Sequence, residues 1–218
     1  MIQTHFPTKV MVERVTKDAA WNDALVEMVT DSSANKMVHY ASGFKHAVPN
    51  HMLNNYEGTE LKEYATIMMD TFWRYLKEAW ELTPEDISEP VFHMFGNHET
   101  RGEWSIPHAH HANQVVVTYY PKIVVSPEEP HPHAGKFVFY NPRTVQSGIF
   151  ARREKLFTPI NVESGTIIAF PAYAEHGTFP FFCAESHKYA IVTNIRFNGS
   201  LEGKNTSDQY KFFQDING

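Results

Sequence analysis

The sequence predicts a mainly β protein, an antiparallel sandwich or jelly roll, with helices at its N-terminal end. Three observations carry this. After Pro90 the chain breaks into short apolar runs rich in β-branched and aromatic residues, each bounded by Gly, Pro or Asn. No helical pattern separates those runs, which argues against the strand–helix alternation of a parallel sheet. Before Pro90 the apolar residues recur instead at three- and four-residue spacing. The expected organisation is one compact domain: a helical segment of residues 1–90 packed on a barrel core of residues 91–200, then a polar tail of residues 201–218.

Residues 16–30 read as the first helix, with Thr16 as its cap and Trp21, Leu25 and Met28 on one face. Residues 31–58 are rich in Asn, Ser and His and read as irregular. Residues 59–81 form the clearest helix, because Leu61, Ala65, Met68, Phe72, Leu76 and Ala79 keep one face without interruption by Gly or Pro. The strand-length runs are "PVFHMF", "QVVVTYY", "KIVVS", "GKFVFY", "GTIIAF" and "YAIVTNIRF".

Composition narrows the function. The formal charge is -6 with no basic stripe, so the chain lacks a nucleic-acid footprint. No apolar run reaches the length of a membrane span, and the N-terminus lacks the apolar core of a signal peptide. The single cysteine, Cys183, allows no intrachain disulfide. These features fit a reducing compartment, and the expected location is cytoplasmic.

The chemistry is concentrated in "PHAHHANQ", residues 107–114. His108 and His110 are two apart, which on an extended segment puts both rings on one face. Neutral imidazole is the commonest protein metal ligand. The best third ligand is His176, in a loop after the apolar run that ends at Pro171. His111, His131, His133 and His187 read as surface or hydrogen-bonded residues.

Two families show a comparable arrangement, both built on the double-stranded β-helix, a jelly-roll barrel. The cupin motifs are matched in part, by Gly102, His108 and His110, and by Gly165, Pro171 and His176; Gln114 stands where cupins usually place Glu. More of the chain resembles a family of 2-oxoglutarate/Fe(II)-dependent oxygenases related in fold to prolyl hydroxylases. Five segments agree with it in order and spacing: "HFPTKVMVERV", "PHAHHANQVVVTYYP", "GKFVFYNPR", "ESGTIIAFPAYAEHGTFPF" and "HKYAIVTNIRF". Asn141 departs from the usual Asp, and Lys188 from the usual Arg.

This resemblance implies a metal held by His108, His110 and His176, with His110 where the wider superfamily has Asp. It implies Fe(II), with 2-oxoglutarate as cosubstrate, O2 as oxidant, and a small-molecule or peptide substrate that is hydroxylated. Three neutral ligands also describe a zinc site, so the identity of the metal stays open. The cosubstrate's distal carboxylate is expected on Lys188, with Arg196, on the same face by parity, as the substitute cation. Tyr119 or Tyr120 would assist, and family position favours Tyr119. Asn113 and Arg143 are expected to line the pocket, and Trp104 either walls it or packs beneath a strand. The alternative functions are a cupin-type enzyme or binding module with Gln114 as fourth ligand, a zinc hydrolase using Glu175, and a non-catalytic interaction module. The apolar N-terminal helices offer a surface for a homodimer.

Overall fold

The structure is a computed structural model that describes residues 7–33, 37–39, 44–46, 58–142 and 155–198. Strand β1 (Met11–Arg14) precedes helix α1 (Ala19–Ser33), a short hairpin of β2 (Met37–His39) and β3 (Phe44–His46), and helix α2 (Thr59–Trp80). The barrel strands follow: β4 (Val91–Glu99), β5 (Val115–Val124), β6 (Phe137–Tyr140), β7 (Phe157–Ile160), β8 (Thr166–Pro171), β9 (His176–Thr178) and β10 (His187–Arg196). The tail and Arg143 lie outside the described residues.

The local reasons are readable. Asp18, not Thr16, starts α1: its Oδ1 accepts the Trp21 amide at 2.8 Å, satisfying one of the helix's open donors. Helix α2 buries Leu61, Tyr64, Met68, Thr71, Phe72, Tyr75 and Leu76 along one face. It stops at Glu81, whose backbone is left-handed; the Glu81 amide donates to the Lys77 carbonyl at 3.1 Å and the Leu82 amide to the Leu76 carbonyl at 3.2 Å. The runs "QVVVTYY" and "KIVVS" form one strand, β5, rather than two. Its Pro121 is accommodated by a bulge. Lys122 pairs with Tyr189 and Tyr119 with Ile191, so Tyr120 and Pro121 together oppose Ala190. Proline has no amide to offer the ladder, and a bulge needs none there.

Five strands form an antiparallel sheet in the order β1-β8-β5-β10-β4, and three form a second in the order β7-β6-β9. The N-terminal segment thus supplies an edge strand of the main sheet as well as its helices. Phe137 and Phe139 of β6 meet the ring of Phe170 on β8 at 5.5 and 5.2 Å, so the two sheets face each other across a shared interior. This is the mainly β jelly roll with N-terminal helices that the apolar runs predict.

Two apolar clusters result, one on each face of the main sheet. Helices α1 and α2 cover Val115, Val117, Tyr119, Ile167, Ala169, Ile191 and Ile195. Inside the roll lie Val116, Tyr120, Phe137, Ile168, Phe170 and Ala190. The strict two-residue period of a strand assigns each residue to its side.

Candidate metal centre and its cavity

His108 and His176 are joined by a reciprocal pair of backbone hydrogen bonds. The His108 amide donates to the His176 carbonyl and the His176 amide to the His108 carbonyl, both at 2.9 Å. Residues paired in this way project their side chains to one side of the ladder. The His110 amide donates to the Ala172 carbonyl at 2.9 Å, holding the next turn of chain beside the same strand end. His176, expected in a loop, is therefore the first residue of β9. Its neighbour Gly177 allows the close approach: a Cβ there would sit 2.5 Å from the Ser105 carbonyl oxygen.

The three rings converge. Their candidate ligand atoms all lie within 4.8 Å of one another. Two nitrogens bound to one ion at about 2.0–2.1 Å lie roughly 2.9–3.4 Å apart in tetrahedral or octahedral geometry. His110 Nε2 and His176 Nε2 are 3.2 Å apart. The tautomers agree with this. His108 Nδ1 donates to the Ile106 carbonyl at 2.7 Å and His176 Nδ1 to the Ala174 carbonyl at 2.8 Å, which leaves each Nε2 lone pair for a metal. Burial, reinforced by the neighbouring His108, pushes His176 well below the ordinary histidine value, so its ring is neutral as a ligand must be. Phe137 stacks on the His176 ring at 5.3 Å and Phe170 meets it edge-on at 4.8 Å, fixing its orientation.

These histidines line a cavity of about 50 Å³. At ~10–15 Å³ per water it holds about four. Phe95, Asn97 and Glu99 enter it from β4, Thr118 and Tyr120 from β5, and Lys188, Ala190 and Val192 from β10. Lys188 is fully buried and donates to the Gly135 carbonyl at 2.7 Å, where Gly135 adopts a positive φ of 67°. It also forms an ion pair with Glu99 Oε2 at 2.9 Å. Burial lowers the lysine's proton affinity, and Glu99 opposes that effect.

Glu99 is the hub of this end of the cavity. Besides Lys188 it accepts from Ser105 Oγ at 2.9 Å, Asn97 Nδ2 at 3.1 Å and Thr178 Oγ1 at 3.0 Å. Tyr120 is pushed well above the ordinary tyrosine value by burial and by the Glu99 charge.

Of the residues singled out in the sequence, His108, His110, His176 and Lys188 are brought together around one cavity. The others are not. Tyr119 faces the helices, where its hydroxyl donates to Asn22 Oδ1 at 2.6 Å, and Tyr120 is the tyrosine at the cavity. The bulge at Tyr120 and Pro121 leaves the parity of Tyr119 with Val115 and Val117 intact, which fixes its outward face. Arg196 shares parity with Lys188 but sits exposed at the opposite end of β10, about 26 Å along the strand at roughly 3.3 Å per residue. Asn113 belongs to the turn after His110, and its side chain donates to the His111 carbonyl at 3.4 Å rather than lining the cavity. Gln114 Oε1 accepts the Phe197 amide at 2.8 Å and so is committed away from the metal centre. Glu175 lines a separate surface cleft with Tyr173 and Lys155. Trp104 does not line the cavity. Sequence reasoning missed Asn97, Glu99, Ser105 and Thr178. The available signal was the alternation Phe95, Asn97, Glu99, which sends two polar side chains to one face of a buried strand.

No protein-family model and no curated protein matches the sequence. Solved structures do match the fold. A prolyl-4-hydroxylase from Pseudomonas putida aligns with a TM-score of 0.54 at 13% identity, covering 87% of this chain and 88% of that one. A Trichoplax adhaerens prolyl hydroxylase in complex with a hypoxia inducible factor peptide fragment aligns at 0.54 and 13%, covering 86% and 83%. HygX from Streptomyces hygroscopicus, with nickel, 2-oxoglutarate and hygromycin B bound, aligns at 0.55 and 12%, covering 87% and 83%. The chain shares the double-stranded β-helix fold of these oxygenases.

Proposed function

We propose that this protein is an Fe(II)- and 2-oxoglutarate-dependent oxygenase that hydroxylates a small-molecule or peptide substrate, releasing succinate and CO2. One observation carries the reading: three imidazoles whose candidate ligand atoms lie within 4.8 Å of one another and a buried lysine line the same cavity of a roll shared with prolyl hydroxylases and HygX.

His108, His110 and His176 would hold the metal through nitrogens on one side, leaving the cavity side open. Bound iron and 2-oxoglutarate supply a two-electron oxidation in which one atom of O2 enters the substrate and the other enters succinate. The chain's own contribution is orientation and exclusion of water. The Ile106 and Ala174 carbonyls fix the tautomers of His108 and His176. Phe137 and Phe170 wall His176 from solvent. Lys188 supplies the buried positive charge toward which the acid's distal carboxylate would point. HygX, which shares this fold, holds bound 2-oxoglutarate together with nickel and hygromycin B.

A second reading, a metal-dependent enzyme or binding module that does not use 2-oxoglutarate, is favoured by one feature: Lys188 already has Glu99 as an ionic partner. Anaerobic reconstitution with Fe(II), followed by titration with 2-oxoglutarate, separates the two. The oxygenase reading expects a charge-transfer absorption that appears with the acid, is absent in His176→Ala, and is weakened in Lys188→Ala with the metal retained. Bound iron without that absorption favours the second reading. Failure of the protein to bind any divalent metal removes both.

A further inference from the structure

Resting on the reading that the metal takes a 2-oxo acid, we infer that Glu99 is a specificity-determining residue: a built-in carboxylate that occupies Lys188 and weakens the cavity's selection for a dianionic acid. The argument starts from donors and acceptors. A lysine ammonium has three N–H donors. Here the Gly135 carbonyl and Glu99 take two of them. Glu99 is not free to swing away, because Ser105, Asn97 and Thr178 also donate to its two oxygens. It accepts from four groups, which is the pattern of an ionised carboxylate.

Its neighbour helps to fix it. Asn97 spends its amide NH2 on Glu99, which turns Oδ1 the other way, buried and without a hydrogen-bond partner. The end of the cavity thus presents a fixed carboxylate, held from several sides, against one lysine. A second carboxylate arriving there meets the Glu99 charge and a cation that already has an ionic partner. With room for about four waters, the cavity cannot place it far from Glu99. Like charges at that separation, away from bulk water, repel strongly.

The test compares two acids that present the same 2-oxo carboxylate to the metal. 2-Oxoglutarate carries a distal carboxylate, whereas 2-oxopentanoate has a methyl group in its place. Both are titrated anaerobically into the Fe(II)-loaded protein, with charge-transfer absorption as the readout and Co(II) spectra as a check that the three histidines still bind metal. In Glu99→Gln, affinity for 2-oxoglutarate rises and that for 2-oxopentanoate stays level, so the ratio between them grows at least about tenfold. Ser105→Ala, which removes one of Glu99's tethers, moves the ratio the same way by less. Where Glu99→Gln does not fold, the direction of the ratio in Ser105→Ala decides. An unchanged or reduced ratio with the metal site intact overturns this role for Glu99 and leaves the oxygenase reading standing. Absence of an absorption with either acid, in wild type and variants that bind Co(II), overturns the 2-oxo acid reading and this inference with it.

Discussion

On β5, Val117 and Tyr119 turn toward the helices, while Thr118 and Tyr120 turn into the roll. The same division runs along β10, where Ile191 and Ile195 face the helices and Lys188 faces the cavity. One sheet therefore separates two environments a single backbone thickness apart. The helix side is closed by aromatic packing, with Tyr64 and Tyr119 at 5.3 Å and Phe72 against Phe92 and Phe197. The cavity side holds an ion pair, a hydrogen-bonded network and three histidines. Burial alone does not distinguish them, since Phe72 and Lys188 are both essentially inaccessible to solvent. The difference is what burial does: it stabilises the apolar face directly, while on the polar face it makes every charge depend on its partner.

That contrast can be broken first at Lys188. Lys188→Met leaves Glu99 buried and without its counter-charge, and is expected to lower stability by about 3–5 kcal/mol in urea denaturation. Adding Glu99→Leu restores most of the loss, because the pair is then absent as a unit. On the other face Phe72→Ala costs a similar ~3–5 kcal/mol, but no second substitution nearby rescues it. Its metal affinity, measured below its unfolding transition, stays at the wild-type value.

A pH series sharpens the comparison further. His176 has its proton affinity lowered by folding, so below its unfolded pKa the unfolded chain binds more protons than the native one. The His176 contribution to the stability of the metal-free protein is complete above about pH 6.5. It falls as pH drops from there, by up to about 1.4 kcal/mol per pH unit from this group alone. His176→Asn should flatten that slope, and a slope unchanged by the substitution would count against a neutral buried His176. The smallest effect belongs to the tyrosine pair. Tyr119→Phe loses the bond to Asn22 and about 0.5–1.5 kcal/mol of stability, with no change in binding of a 2-oxo acid. Tyr120→Phe, one residue along, alters that binding instead.

Much of this was legible in the residues. The β-branched and aromatic runs after Pro90 located β4, β5, β6, β8 and β10, because each carries an apolar run that stands out from its turn residues. The unbroken apolar face of residues 59–81 located α2 within one residue. What escaped was short or cooperative. Strand β9 has three residues, "HGT", and exists because β6 and the His108 segment pair with it. Strand β1 carries half-buried alternation over four residues, too brief to separate from loop. The site divides similarly. The histidines announce themselves by spacing, whereas Glu99 becomes meaningful only once β4 is placed beside β10 and Glu99 lies opposite Lys188. The bulge that admits Pro121 is likewise a property of two strands and has no signature in one.

Strand β1 has one more consequence. It covers the outer rim of β8, pairing Met11 with Ala169, Val12 with Ile168, Glu13 with Ile167 and Arg14 with Thr166. Without it, β8 would offer a free ladder of amides and carbonyls backed by six consecutive buried residues. Chain shortened past Arg14 should therefore self-associate through that rim, and light scattering on such a truncation would register the loss of a guard before any assay registered the loss of a reaction.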